Sequence, residues 1–240
     1  MKVFITGATG FVGGCLAKKL IEQGHQVTAL VRNPAQCLEL KSLGVELKVG
    51  DVTQLSSFES FINSETTVFH LAGVIGYSKA QRQLMNQVNI EGTRNVVSAV
   101  KKTNAQRLVY MSSVVAIGAS KDGSHPLDEN SNYDIKNLNL GYFETKRIAE
   151  EIVLSAAHIN DIDAVALNPS TIYGAGDAKK GSRKTQLKVA RGEFPFYTSG
   201  GVSIIAIEDV IAATLKAWDV GRSGERYILD GDNITIHELF

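Results

Sequence analysis

The sequence predicts an α/β protein built on a doubly wound parallel β-sheet, with a small substrate lobe at its C-terminal end. Short β-rich runs alternate with segments whose apolar residues recur at helical spacing. These runs read KVFIT, QVTALVR, VELKVG, TVFHLAG, RLVYMSS and DAVALNPS. The alternation is typical of a parallel sheet that carries helices on both faces. Because the pattern changes beyond Pro169, we place the sheet domain at residues 1–168 and the lobe, interleaved with the last sheet elements, at residues 169–240.

The elements follow in order along the chain. The first strand is predicted almost at the N-terminus, which leaves no room for a signal peptide, and a helix follows from about Phe11 to Gln23. In the lobe we expect a basic helical stretch from Lys179 to Arg191 and short strands at Ser203–Ile207 and Arg226–Leu229. The final run, NITIHELF, predicts a helix that stops after about one turn, too short to be stable alone. We therefore expect the native chain to continue past Phe240.

The composition narrows the class of partner. Twenty-five basic residues balance twenty-five acidic ones among 240, so no bulk field draws the protein toward nucleic acid or an anionic membrane. The apolar runs fall short of the roughly 18 residues that a membrane span needs. Cys15 and Cys37 match neither a disulfide framework nor a metal site, and the histidines form no metal-ligand spacing. We expect a soluble, cytoplasmic protein with a small-molecule partner and no metal.

The segment TGATGFVG places Gly7, Gly10 and Gly13 between the first predicted strand and the first helix. Glycines there permit a tight turn and let the backbone approach a pyrophosphate, which lies on the free N–H groups and positive dipole end of the helix. The strand–turn–helix context is the one that a dinucleotide-binding Rossmann fold requires. The sequence therefore predicts an NAD(P)-binding Rossmann fold, with a purely structural turn as the alternative.

Residues after the second and third strands bear on which dinucleotide is bound. An NAD-binding protein usually places Asp or Glu after the second strand to hold the ribose 2′-hydroxyl, but here the run is ALVRNP. Arg32 can meet a 2′-phosphate, so NADP(H) is favoured over NAD(H); an ordinary solvated arginine is the alternative. In the GDV run, Asp51 can bond the adenine amine or cap a helix, and both roles stay open.

Three side chains predict the chemistry. Tyr142 and Lys146, in GYFETKRIAEE, are one helical turn apart and lie on one face. The fifth strand ends in YMSSVVAIG, which points Ser112 and Ser113 toward the carboxyl edge of the sheet, where doubly wound folds bind ligands. A phenol has a pKa of about 10, but a neighbouring ammonium and the positive nicotinamide ring favour phenolate. We expect Tyr142, tuned by Lys146, to exchange a proton with the substrate oxygen during hydride transfer while Ser113 bonds that oxygen.

Taken together, these motifs resemble the extended short-chain dehydrogenase/reductase family, also called the NAD-dependent epimerase/dehydratase family. The motifs that carry the resemblance, over nearly the whole chain, are TGATGFVG, HLAG, NIEGT with Asn89, YMSSVVAIG, Tyr142-x-x-x-Lys146 and NPSTIYGAGD. The runs LVRNP, NPST and GERYILDGDNIT are most similar to dihydroflavonol-reductase-like members and hopanoid-associated sugar epimerases. The resemblance implies that Ser113 is the triad serine.

The resemblance and the motifs together predict a cofactor-binding set that spans six strand ends. Its members are Gly7, Thr9, Gly10, Phe11, Val12, Gly13, Arg32, Asp51, Val52, Leu71, Ala72, Gly73, Asn89, Met111, Ser112, Tyr142, Lys146, Pro169, Thr171 and Ile172. The resemblance also suggests a homodimer formed through the Tyr-bearing helix and its preceding neighbour.

Two departures from the family pattern bear on the reaction. Family dehydratases follow the triad hydroxyl residue with an Asp-Glu pair, whereas Val114 and Val115 stand here, so dehydration is not expected. Many nucleotide-sugar members place an Arg shortly before the segment equivalent to IAIEDV to clamp the diphosphate. Here that place holds Val202 with Ser203 beside it, which disfavours a nucleotide-sugar substrate.

Three functions from different classes remain. The leading one is an NADP(H)-dependent carbonyl reductase or alcohol dehydrogenase acting on a moderately apolar substrate. The alternatives are a nucleotide-sugar epimerase that retains NAD⁺ and a non-catalytic NAD(P) sensor. We interpret His70 as a satisfied strand histidine. The basic run is either a solvated face or a phosphate site, and the aromatics near the cleft are either pocket walls or core. The run comprises Lys179, Lys180, Arg183, Lys184, Lys188 and Arg191, and the aromatics are Tyr77, Tyr133, Phe143 and Tyr173.

Overall fold

A parallel sheet with helices on both faces organises the chain. The computed structural model describes residues 1–76, 78–120, 125–177, 187–193 and 198–239. The sheet strands are β1 (Lys2–Thr6), β2 (Gln26–Val31), β3 (Glu46–Val49), β4 (Thr66–His70), β5 (Arg107–Met111), β6 (Ala164–Pro169) and β9 (Arg226–Leu229). Within the described ranges these seven strands are parallel, in the order β3-β2-β1-β4-β5-β6-β9. The predicted doubly wound sheet is confirmed.

The helices lie between the strands in chain order. They are α1 (Phe11–Glu22), α2 (Leu38–Ser42), α3 (Arg82–Met85), α4 (Gly92–Thr103), α5 (Gly141–His158), α6 (Ile207–Val220) and α7 (Ile236–Leu239). A π-helical turn, Asn86–Glu91, joins α3 to α4, and a further helical turn covers 187–190. None of the helices in the described ranges combines the length and apolar composition that crossing a bilayer requires.

The sheet separates two hydrophobic cores. On one face, α1 and α6 pack together over side chains that include Ile5, Leu16 and Val210. On the other face, α4 and α5 pack over side chains that include Phe4, Val96 and Val153. Strands β4 and β6 are buried along their full length, which explains why their sequences, TTVFH and AVALNP, do not alternate between apolar and polar residues.

The strand order changes direction between β1 and β4. From β1 the chain winds outward through β2 and β3, and from β4 it winds the other way through β5 and β6. The carboxyl ends of β1 and β4 therefore lie at the topological switch point, where open α/β sheets bind ligands. Gly7 follows the first of these strands and Leu71 follows the second.

The lobe contains a second, three-stranded sheet. Its strands are β7 (Thr171–Tyr173), β8 (Gly201–Ala206) and β10 (Asp232–Thr235). Strand β8 is parallel to β7 and antiparallel to β10. The predicted strand at Ser203–Ile207 is confirmed, although Ile207 itself begins α6.

The end of the chain corrects one expectation. The run NITIHELF was predicted as a helix opening throughout, but its first residues complete β10 and only Ile236–Leu239 is helical. The Thr235 hydroxyl accepts from Glu238 N at 3.1 Å, and Glu238 Oε2 accepts from Thr235 N at 2.8 Å. This capping box explains why the helix starts there, whereas the strand depends on pairing with β8 some 30 residues earlier.

Arg107, the first residue of β5, links the sheet to the C-terminal end of α6. Arg107 donates through Nε and Nη2 to the Asp163 carboxylate at 2.9 and 3.0 Å. Its Nη1 donates to the carbonyls of Ala217 and Trp218, and Nη2 to that of Gly221. All five guanidinium hydrogens are therefore used, and the carbonyl groups of Ala217 and Trp218 in the last turn of α6, and of Gly221 after it, accept hydrogen bonds.

Replacing Arg107 with lysine is expected to lower the free energy of unfolding by about 2–3 kcal/mol, because an ammonium cannot reproduce the planar five-donor arrangement. Urea unfolding followed by circular dichroism measures the loss. The matched control is Arg94→Lys on α4, where the side chain is 54% exposed and pairs with Glu91, so a change below about 0.5 kcal/mol is expected. Equal losses in the two variants would contradict the structural role of Arg107.

Candidate active site

The glycine turn after β1 has no room for side chains. Gly7 has φ +79°, and a Cβ there would lie 2.5 Å from Ala72 N and 2.5 Å from the Leu71 carbonyl carbon. A Cβ on Gly13 would lie 2.2 Å from Gly7 O. The start of α1 is thus pressed against the turn, and the turn against the segment after β4.

This turn presents backbone donors to a ligand. Gly10 is the N-cap residue of α1 and has no side chain with which to accept hydrogen bonds from the first helical turn. The N–H groups of that turn, together with the positive end of the helix dipole, therefore suit a phosphate. Thr9 and Gly10 are exposed, and Phe11 and Val12 are half-buried, so the predicted residues do surround an accessible turn. This cradle fits a dinucleotide.

Arg32 lies at the same edge of the sheet. It directly follows β2, and its side chain is exposed. The next residues form a tight turn in which Asn33 Oδ1 accepts from Ala35 N at 3.1 Å. The local backbone therefore holds the base of Arg32 at the carboxyl end of β2, where the 2′-position of an adenosine ribose is read in this fold.

Asp51 and Val52, which follow β3 and Gly50, differ in what they offer. Asp51 Oδ1 accepts from both Thr53 N and Thr53 Oγ1 at 2.9 Å, so one carboxylate oxygen serves a local turn. The helical turn that follows, Leu55–Ser57, has Gln54 as its N-cap, so Asp51 does not cap a helix. The Val52 side chain is 7% exposed and packs against Gly92, and its carbonyl accepts from Asn95 Nδ2 at 2.8 Å. Val52 is therefore a core residue whose side chain does not line an open cleft.

Asn89 brackets the chain after β4. Its Nδ2 donates to Val74 O at 2.9 Å and to Thr145 Oγ1 at 3.1 Å, and its Oδ1 accepts from Val74 N at 2.7 Å. Since both amide hydrogens are used, the side chain positions the Val74 backbone instead of pointing at a ligand. Asn89 lies in the π-helical turn Asn86–Glu91, which directs its side chain toward Val74. Such turns are frequent at functional sites. Gly73 lies next to this bracket.

Helix α5 brings the predicted catalytic residues to the end of β5. Lys146 Nζ donates to Met111 O at 2.7 Å, two residues before Ser113. Ser113 Oγ accepts from Val115 N at 3.4 Å, which leaves its hydroxyl hydrogen available as a donor. Tyr142 is half-buried one turn before Lys146, near the start of α5. The structure therefore gathers all three residues at one edge of the sheet.

Lys146 is the most unusual ionisable group of this site. It is 6% exposed, donates to Tyr110 Oη at 2.9 Å and lies 4.6 Å from the centre of the Tyr110 ring. Burial lowers the pKa of Lys146 to about 8, and the carboxylate of Glu150 opposes this shift. A buried lysine whose ammonium is held by two acceptors is typical of a functional site.

Glu150 was not singled out from the sequence, yet it continues the same face of α5. Its Oε1 pairs with Arg226 Nη1 at 3.0 Å, and its Oε2 accepts from Asn168 Nδ2 at 2.5 Å. Arg226 also donates to Glu129 O at 2.8 Å. The buried carboxylate thereby fixes α5 to β6 and β9. The only signal in the sequence was its spacing, four residues after Lys146.

Buried polar atoms at two strand ends have no hydrogen-bond partner among the described residues. Ser112 Oγ follows β5, Asn168 Oδ1 lies in β6 and Ser170 Oγ follows β6. A buried polar group without a partner costs about 1–3 kcal/mol, so a ligand that bonds any of them is stabilised. Pro169, Thr171 and Ile172 surround Ser170 at this edge.

His70 is fully buried and bonded on both sides. Its Nδ1 meets Thr6 Oγ1 at 2.7 Å, and its Nε2 meets Thr93 Oγ1 at 2.9 Å. Burial, helped by the charge of Lys146, lowers the pKa of His70 to about 3. The interpretation of His70 as a satisfied strand histidine is confirmed.

Some predicted residues lie outside the described ranges. These are Tyr77, Lys179, Lys180, Arg183 and Lys184. Of the same basic run, Lys188 and Arg191 are described, and both are exposed.

Comparisons with known proteins agree with this geometry. The NAD-dependent epimerase/dehydratase family matches residues 3–229. The chain is 35% identical over 241 residues to a putative dihydroflavonol 4-reductase of Synechocystis sp., covering 98% of this chain and 69% of that protein. It is 28% identical over 242 residues to sterol demethylase protein B of Methylococcus capsulatus, covering 100% of this chain and 72% of that protein.

Solved structures give the same picture of the fold. The crystal structure of gox2253 superposes with a TM-score of 0.91 at 33% identity, covering 99% of this chain and 72% of that one. A nucleoside-diphosphate-sugar epimerase from Pseudomonas aeruginosa superposes with a TM-score of 0.83 at 23% identity, covering 100% of this chain and 75% of that one. The second likeness concerns the fold alone.

Proposed function

We propose, since the chain belongs to the NAD-dependent epimerase/dehydratase family, that it is an NADP(H)-dependent carbonyl reductase or alcohol dehydrogenase. Members of this family bind NAD(P). The observation that carries the proposal is the contact between Lys146 Nζ and Met111 O at 2.7 Å, which joins the Tyr142–Lys146 face of α5 to the strand end that bears Ser113.

The proposed mechanism uses these three side chains around a bound nicotinamide, which supplies or accepts hydride. Ser113 donates its free hydroxyl hydrogen to the substrate oxygen and orients it. Tyr142 gives its phenolic proton to that oxygen during reduction and takes it back during oxidation. The ammonium of Lys146 stabilises the phenolate form of Tyr142 and lowers its proton affinity.

A moderately apolar substrate suits the mouth of the site. Leu138 and Leu140 immediately precede α5 and are exposed, as is Leu84 on α3. Helix α3 packs against the start of α5, where a Cβ on Gly141 would lie 3.4 Å from Met85 Cε. Exposed apolar side chains beside a catalytic helix favour a ligand with apolar surface of its own.

The lobe supports a reductase over a nucleotide-sugar epimerase. Val202, at the place of the family's diphosphate-clamping arginine, pairs with Ile234 in the small sheet. Ser203 donates its hydroxyl to the Asp230 carboxylate, so it is engaged within the lobe. The 35% identical relative is a putative reductase, which favours the same reading.

The first test identifies the nucleotide that the purified protein releases on denaturation, by mass spectrometry with stoichiometry, and then screens aldehydes and ketones for NADPH oxidation. An empty site, or one partly filled with NADP(H), together with carbonyl-dependent oxidation supports the proposal. Near-stoichiometric NAD⁺ without NADPH oxidation would instead indicate an epimerase that recycles a retained cofactor.

Arg32→Ala is expected to weaken NADPH binding by about 10–100-fold and NADH binding by less than about threefold, because the lost charge-assisted bond serves only the 2′-phosphate. Fluorescence titration with each nucleotide measures both affinities. Arg94→Ala, an exposed arginine on α4, is the control and should leave both unchanged. Equal weakening of the two nucleotides in Arg32→Ala would remove Arg32 from cofactor selection.

A further inference from the structure

A row of buried polar side chains runs beneath α5, from the end of β1 to Lys146. Thr6 Oγ1 meets His70 Nδ1, and His70 Nε2 meets Thr93 Oγ1. The His70 ring lies 5.5 Å from the Tyr110 ring, centre to centre, and the Tyr110 hydroxyl accepts from Lys146 Nζ at 2.9 Å. All five side chains are at most 6% exposed, so water does not compete for these bonds.

One carbonyl fixes the direction of the hydrogen bonds of His70. Asn89 O lies 2.6 Å from Thr93 Oγ1 and can only accept, so the Thr93 hydroxyl donates its hydrogen there. The Thr93 oxygen must then accept from His70 Nε2–H. The ammonium of Lys146 can only donate, so the Tyr110 oxygen presents a lone pair to it.

His70 locks this arrangement and does not relay protons. With Nε2 protonated, its Nδ1 accepts from the Thr6 hydroxyl, and Thr6 Oγ1 accepts from Ala72 N at 3.3 Å. Burial keeps the pKa of His70 at about 3, so the ring stays neutral in one tautomer across the physiological range. Burial likewise raises the pKa of Tyr110 far above its usual value, so its phenol also stays protonated.

We propose that Tyr110 is a positioning residue for Lys146: its hydroxyl holds the ammonium on Met111 O and leaves one ammonium hydrogen for a bound ligand. This inference rests on the proposed function, because it assigns Tyr110 to the same site. Tyr110 touches neither substrate nor cofactor in this role and acts through Lys146 alone.

The charged and titratable groups around Lys146 define what the Tyr110 hydroxyl contributes. Glu150 and Tyr142 lie on the same helix, Tyr110 lies on β5, and His70 lies on β4. Glu150 favours the ammonium, and burial disfavours it. The lone pairs of the Tyr110 oxygen also favour the ammonium form of Lys146. Removing this hydroxyl therefore takes away one interaction that counteracts the effect of burial, and the pKa of Lys146 falls.

The test is an NMR titration of ¹³Cε-lysine-labelled protein without any substrate, with Lys146 assigned by its absence in Lys146→Arg. Wild-type Lys146 is expected to titrate with a pKa of about 8. In Tyr110→Phe, which keeps the buried ring, the midpoint should fall by about 1 unit, because one hydrogen bond to a charged group is lost. NADPH affinity should then begin to weaken at correspondingly lower pH.

Two further variants keep the test decisive. Tyr227→Phe removes a phenol hydroxyl on β9 that accepts from Arg222 N and should leave the Lys146 midpoint unchanged. Tyr110→Met fills much of the same space without a hydroxyl and should also shift the midpoint downward, which decides the matter if Tyr110→Phe does not fold. A wild-type midpoint in every variant that folds would overturn the role of Tyr110. Failure of the wild type to oxidise NADPH would count against the proposed function and leave this titration untouched.

Discussion

Replacing Gly13 with alanine is expected to abolish dinucleotide binding at concentrations that saturate the wild type. The new Cβ would lie 2.2 Å from Gly7 O, 2.8 Å from Gly7 C and 2.9 Å from Ala8 Cα, and all three atoms belong to the backbone, so α1 must move away from the turn. A displacement of about 1 Å costs about 100-fold in a site of this kind, and the overpacking lowers the free energy of unfolding by about 3 kcal/mol. NADPH titration and urea unfolding measure the two effects.

The neighbouring residue supplies a matched control. A Cβ on Gly14 would meet only Ala8 O, in the turn before α1, at 3.5 Å, which is an ordinary van der Waals contact. Gly14→Ala is therefore expected to keep full affinity for NADPH and to gain up to about 1 kcal/mol of stability from the higher helix propensity of alanine. If Gly13→Ala bound NADPH as tightly as Gly14→Ala, the turn would not be the pyrophosphate site.

The sequence was sufficient for the features that short segments determine. The glycine spacing and the β-rich runs predicted β1, α1 and a doubly wound parallel sheet, because tight turns and the alternation of strand and helix patterns are local properties. The spacing of Tyr142 and Lys146 placed both on one face of α5, and the end of β5 placed Ser113 beside them. The run NITIHELF predicted a short helix, but only Ile236–Leu239 is helical, and the capping box that begins at Thr235 was recognised only in the structure.

The features that the sequence did not reveal depend on contacts between distant segments. Tyr110 meets Lys146 across 36 residues, and Glu150 meets Arg226 across 76. The sequence around Tyr110 is that of any tyrosine in a protein core, and the sequence around Glu150 is that of any glutamate on a helix surface. Neither sequence shows which distant residue the side chain contacts. The same reason explains Asn89, whose motif placed it correctly near the site but gave no sign that its amide is used by Val74.

These long-range contacts share one effect, which is to fix α5. Asn89 holds the second turn of α5 through Thr145, and Tyr110 and Met111 hold the same turn through Lys146. The carboxylate of Glu150 holds the next turn to β6 and β9. Catalytic side chains on a helix keep their geometry when the helix itself is anchored at several levels. Because the anchors are polar and directional, they also set the rotation of α5 about its axis, which apolar packing alone leaves less well defined.

Tyr142→Phe is expected to lower kcat by about 100- to 10,000-fold, because the proton donor to the substrate oxygen is lost. Since α5 is anchored by other residues, the substitution should not move the helix. NADPH affinity should change by less than about threefold, because the ring and the ammonium of Lys146 stay in place. Steady-state kinetics with the best carbonyl substrate from the screen, paired with fluorescence titration of NADPH, separates the two quantities.

Tyr227→Phe is the control for this loss as well, since it removes a phenol hydroxyl that accepts from Arg222 N, before the start of β9. It should retain wild-type kcat. Turnover by Tyr142→Phe at the wild-type rate would remove Tyr142 from the mechanism, while a parallel loss of NADPH affinity would show that the phenol holds the cofactor and not the substrate proton. If Tyr142→Phe loses kcat while its NADPH affinity stays at the wild-type value, Tyr142 is the residue that donates the proton to the substrate oxygen. In that case the substitution affects the chemical step and not cofactor binding.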